Sequence, residues 1–185
     1  AFNVITLGGE KNDTPMVAED GAQFILLGYK VPENCPDGKY EIGFGDKCMV
    51  FMDNSKNTYS VTKLNGFITV GDGSTPDDTT TTTKKPDDVT TTTVKQPVAD
   101  GDIIFDFGNY EAKPGDTVKV AVTITPNGKP VAGVDAVLKH DAPLELTNIG
   151  GKTAAFGNKA VQSNLAECAF NVITLGGEKN DTPMV

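Results

Sequence analysis

The sequence predicts an all-β protein, an antiparallel β-sandwich, on three observations. Apolar and polar residues alternate with a period of two in several stretches, no stretch sustains a helical period, and Gly, Pro, Asn and Asp interrupt the chain at short intervals. Many short strands separated by turns bury their apolar faces most simply against a second sheet.

In chain order, Phe24-Ile25-Leu26-Leu27 is apolar on both faces, whereas Tyr40, Ile42 and Phe44 alternate with Glu41 and Gly43, the pattern of a half-buried strand. Met49 to Met52 and Phe67 to Val70 read as further strands. Turns are expected at Glu19-Asp20-Gly21, Pro36-Asp37-Gly38, Asp53-Asn54-Ser55 and Asn65-Gly66, where Gly and Asn tolerate positive φ and Asp and Ser bond back to the backbone. Strand signal then stops, and resumes at Ile103 to Phe107. After the turn Lys113-Pro114-Gly115-Asp116, Val118, Val120, Val122 and Ile124 alternate with more polar residues, the cleanest β period in the chain. Asn127-Gly128 marks another turn, followed by alternation at Val134, Ala136 and Leu138 and by Leu144, Leu146 and Ile149.

Two features organise these strands. Residues 72–100 are Thr, Asp, Lys and Pro with homopolymeric Thr runs, a composition that cannot offset the entropy of ordering and reads as an extended, solvated linker. A coil of that length spans on the order of 30 Å, about the width of a small domain. In addition, residues 1–17 return letter for letter as 169–185. Such identity reads as one period of a tandem array with a short overlap, or as a circular permutation with overlapping ends. Both ends are then expected to be cuts inside a module, with residues 1–71 the C-terminal half, 72–100 the linker and 101–185 the N-terminal half. The tether favours pairing of the halves within one chain, and the alternative is strand-swapped self-association.

Composition excludes several functions. A net charge of −9 argues against nucleic acid and anionic membranes, and no apolar run is long enough to insert in a bilayer. The three cysteines, Cys35, Cys48 and Cys168, show no C-x-x-C spacing, and His140 is the only histidine, so no zinc site is expected. Cys35 and Cys48 flank a turn and a short strand, where either a disulfide or a pair of free buried thiols fits. His140, beside Asp141, has no nucleophile partner in the sequence, and Asp53-Asn54-Ser55-Lys56-Asn57 begins like a calcium loop but has Thr58 and Leu64 where the sharp-turn Gly and bidentate Glu belong. No Gly-rich phosphate loop is present, so a binding or scaffolding role is expected rather than an enzyme.

Placed in module order, residues 101–185 followed by 18–70 resemble a cohesin, the receptor module that cellulosomal scaffoldins carry in tandem. The segments that carry the resemblance are Asp102-Ile103-Ile104-Phe105, Lys113 to Val118, Gly128 to Leu146, Glu19-Asp20-Gly21-Ala22-Gln23-Phe24 and Asn65 to Val70; Gly150 to Leu165 departs most. The resemblance implies a jelly-roll sandwich, an extracellular or cell-surface location, no cofactor of its own, and dockerin-bearing enzymes or scaffoldins as partners, with calcium carried by the dockerin. It also implies a binding face on which Asp135 projects outward beside Val137 and Lys139, with Ile5, Leu7 and Glu10 or their copies Ile173, Leu175 and Glu178 contributing. Two other classes fit a sandwich beside a Thr-rich linker: a carbohydrate-binding module, which the lack of Trp disfavours, and a structural adhesin repeat.

Overall fold

The computed structural model describes residues 17–52, 57–71, 102–150, 152–156 and 159–173. Twelve strands are described: β1 (Ala22–Lys30), β2 (Gly38–Phe51), β3 (Val61–Leu64), β4 (Gly66–Val70), β5 (Ile103–Asp106), β6 (Asn109–Ala112), β7 (Thr117–Thr125), β8 (Gly133–His140), β9 (Glu145–Ile149), β10 (Lys152–Thr153), β11 (Lys159–Asn164) and β12 (Ala169–Ile173). They form a five-stranded sheet in the order β3-β5-β7-β1-β9 and a seven-stranded sheet in the order β10-β11-β12-β8-β2-β4-β6. The linker, residues 72–100, lies outside the described residues, as does the N-terminal copy of the repeat up to Met16.

The two sequence halves interleave within both sheets. β1 lies between β7 and β9, and β2 and β4 lie between β8 and β6. The interior seals this pairing: Phe24 and Phe44 from the first half meet Phe105 and Phe170 from the second, with ring centroids 5.0 Å apart for Phe24–Phe105, 5.1 Å for Phe44–Phe105 and 5.8 Å for Phe24–Phe170. These rings bridge the sheets, and each tilted or edge-on pair contributes about 0.5–1.5 kcal/mol beyond the area it buries.

Local chemistry explains the strands. In β7 the alternating Val118, Val120, Val122 and Ile124 are all buried, so the two-residue period is the inner face of the sheet. In β1 the register shifts between Gln23 and Ile25, and both Phe24 and Ile25 are buried. A bulge therefore accounts for consecutive apolar residues that simple alternation cannot place.

Three expectations change. The sandwich is not wholly antiparallel, because β3 runs parallel to β5 and β4 parallel to β6. Asn65-Gly66 does not reverse the chain. β3 and β4 run on in sequence but belong to different sheets, and β5 and β6 cross beside them, so the two strands turn a shared corner between sheets. Gly108 makes the second bend with φ of +66°, held by its N–H donating to Asp106 Oδ1 at 2.8 Å. Finally, Tyr40 to Phe44 and Met49 to Met52 are not separate strands, since residues 38–51 form one long β2 whose register with β8 shifts between Phe44 and Cys48.

Candidate functional site

The outward face of the seven-stranded sheet carries the predicted site residues of β8. Val134, Ala136 and Leu138 are buried in the core, which turns Asp135, Val137 and Lys139 to the other side by the alternation of the strand. Residues directly opposite in neighbouring strands share a face, so the pairings extend this surface sideways. Met49, Asp135, Asn171 and Gln162 form one row across β2, β8, β12 and β11. Phe51, Gly133 and Ile173 form the row beside it, and Val137 pairs with Ala169 in the row on the other side.

Val137 is the half-buried apolar centre of this patch. Its neighbours are small: Ala169 opposite on β12, and Gly45 on the β2 side, where an added Cβ would lie 3.7 Å from Val137 Cγ1. Two ion pairs flank it. Lys47 Nζ lies 2.8 Å from Asp135 Oδ2, and Lys139 Nζ lies 2.6 Å from Glu41 Oε1. Asn65 Nδ2 also donates to Glu41 Oε1 at 3.1 Å, so that carboxylate is fixed from two sides. The Lys139 ammonium is held above its ordinary pKa, chiefly by its hydrogen bond to Glu41 and further by the charges of Glu41, Asp141 and Asp46. Exposed pairs of this kind contribute only about 0–1 kcal/mol to stability, so their arrangement matters more for what the face can meet.

Asn171 differs from its neighbours. It lies on the outward row yet is only 5% exposed, and its Oδ1 has no hydrogen-bond partner among the described residues. The face therefore combines an apolar centre with fixed charges. Such a set suits protein recognition better than bond-breaking chemistry. His140, which the sequence left as a packed or solvated residue, turns inward and meets the Tyr29 ring edge-on at 5.5 Å. Among the described residues, no group of three or more His, Cys, Asp or Glu could hold a metal ion.

Of the remaining site residues, Ile173 is half-buried on the outward side of β12, opposite Gly133. Ile5, Leu7, Glu10, Leu175 and Glu178 lie outside the described residues, as do residues 53–56 of the incomplete calcium loop. The possible disulfide is corrected: Cys35 and Cys48 are free thiols. A bridge was plausible only across a hairpin, but β2 is continuous from Gly38, paired with Val70, to Cys48, paired with Ala136. Those ten steps separate the ends by on the order of 30 Å, far beyond disulfide reach. Burial pushes the Cys48 thiol up to about 11, against the opposing pull of Lys63, so it is protonated at neutral pH.

Sequence reasoning missed Met49, Phe51 and Asn171. The signal for the first two was present, because Val50 between them is a core residue and the two-residue period then turns both outward. Leu165, in the 3₁₀ turn Leu165–Glu167 that joins β11 to β12, is 43% exposed and had no periodicity to mark it. Comparison of the chain with protein-family models, with curated proteins and with solved structures yields no match.

Proposed function

We propose that the chain is a non-catalytic cohesin-type receptor module that binds dockerins through the outward face of β12, β8 and β2, in the manner of a scaffoldin. One observation carries this reading: Asp135, Val137 and Lys139, the residues matched to a cohesin binding strand, share one outward face whose apolar centre is flanked by two ion pairs. An apolar centre with a charged rim is the anatomy of a protein-binding patch. The interleaving of residues 18–71 with residues 102–173 in both sheets further supports one jelly-roll module.

In this reading Val137 is the anchor that a partner covers, with Met49 in the neighbouring row and Phe51 and Ile173 in the row beyond Asp135. Asp135 accepts hydrogen bonds from partner hydroxyl or amide groups, and the partner's charges exchange with Lys47 and Lys139. The module supplies no metal, the dockerin carries calcium in its own loops, and the setting is the cell surface or the extracellular medium. Pull-down with a panel of calcium-loaded dockerins tests the reading. Capture by at least one supports it, whereas retention on insoluble polysaccharide without dockerin capture favours a carbohydrate-binding module.

A further inference from the structure

The two ion pairs of the outward face run in opposite senses. In one the carboxylate is on β8 and the ammonium on β2, Asp135 with Lys47; in the other the ammonium is on β8 and the carboxylate on β2, Lys139 with Glu41. The register shift of β2 sets Gly45, Asp46 and Lys47 against Val137 alone, and that bulge carries Lys47 to Asp135. Val137 lies between the pairs, with small neighbours in Gly45 and Ala169.

The result is a checkerboard of charge around an apolar centre, and such a pattern is complementary to itself. A two-fold axis lying in the plane of a contact and crossing β8 at Val137 reverses the direction of the strands. It sets Asp135 of one copy against Lys139 of the other, Lys47 against Glu41, and Val137 against Val137. Each charge then meets its opposite across the contact while keeping the partner it has within its own chain. A face carrying a single sign of charge would repel its own copy.

We infer that the outward face of β12, β8 and β2 pairs with the same face of a second copy of this chain, in a symmetric dimer that exchanges no strands. Pairing is weak. The stretch from Asp135 to Lys139 is roughly 13 Å long, a patch at the small, transient end of protein interfaces. The chain carries a net charge of −9, and the charges of Asp46 and Asp141 act beside Lys139, so copies repel until salt screens them, over about 8 Å at 0.15 M. These terms place the Kd on the order of 0.1 mM. The inference needs no dockerin and stands apart from the function proposed above. Both use one face, so a bound dockerin and a second copy exclude each other.

Sedimentation equilibrium in about 0.15 M salt tests it, on the 185-residue chain and on two charge variants whose folding is checked by circular dichroism. The basic variant combines Glu41→Lys with Asp135→Lys, and the acidic variant combines Lys47→Glu with Lys139→Glu. The mass of the intact chain is expected to rise from 19.5 kDa towards twice that value as concentration passes from roughly 10 μM to 1 mM. Each variant alone should stay monomeric over that range, and an equimolar mixture of the two should associate one-to-one, at least tenfold more tightly than either alone. A mass that stays at the monomer value up to about 1 mM overturns the inference without recourse to any variant. So does dimerisation that persists in the separate variants, or a mixture of the folded variants that stays monomeric.

Discussion

Gly66 and Gly108 face each other across the corner where two neighbouring strands pass from one sheet to the other, and no side chain fits between them. A Cβ on Gly66 would run into the Gly108 carbonyl oxygen and lie 2.9 Å from Phe107 Cβ. The close approach places the Phe67 N–H 3.2 Å from the same carbonyl, and Phe107 N–H donates to Leu64 C=O at 3.1 Å. This contact ties β4 and the end of β3 to the bend between β5 and β6, so it holds residues 18–71 against residues 102–173.

Gly66→Ala is therefore expected to destabilise the fold by about 2–3 kcal/mol, since backbone rather than a movable side chain must give way. Urea unfolding measures it. Gly128→Ala is a useful comparison, because its Cβ would meet nothing within 4 Å and its cost comes only from its positive φ of +73°.

Tyr29 predicts a change of opposite sign. Its ring is fully buried, its hydroxyl has no hydrogen-bond partner among the described residues, and burial raises its pKa well above the ordinary phenol value. Tyr29→Phe removes an unsatisfied group while keeping the ring against His140. Stability should rise by roughly 1 kcal/mol, seen as a higher Tm, because an unpaired buried hydroxyl costs about 1–3 kcal/mol.

Alkaline pH acts through Cys48. Burial raises its thiol from 9.0 to about 11, so the unfolded chain releases its proton first. This group's contribution is fully present below about pH 9 and is lost as pH rises toward 11. Thermal melts should fall across that window, and Cys48→Ala should flatten the slope without abolishing it, since Tyr29 shifts in the same direction. A thiol reagent at pH 7 should modify Cys48 slowly, because little of it is thiolate.

How much of this was legible in the sequence follows from what two-residue alternation can and cannot report. It placed Asp135, Val137 and Lys139 on one side of β8 because Val134, Ala136 and Leu138 are regularly apolar. It failed at Phe24 and between Phe44 and Cys48, where register shifts break the period, and at Asn65-Gly66, where local turn chemistry serves a corner between sheets. The buried outward Asn171 carries no signal at all, because its burial is set by neighbours on other strands. The repeat was plain in the letters, and the structure adds that residues 169–173 form β12.

Asp135 separates stability from recognition. Its pair with Lys47 is partly exposed, so Asp135→Ala should cost less than about 1 kcal/mol of stability. Val137→Asp places a charge at the apolar centre of the outward face while leaving the buried residues of β8 untouched. The double variant Asp135→Ala with Val137→Asp should thus remain folded, with unchanged far-ultraviolet circular dichroism.

Titration calorimetry of the intact chain and of that double variant against calcium-loaded dockerins from the source organism tests the proposed function most directly. The expected result is saturable one-to-one binding by the intact chain and at least a hundredfold weaker binding by the folded double variant. Failure of every dockerin to bind the intact chain, or equal binding by the double variant, would contradict a dockerin-binding face centred on Asp135 and Val137.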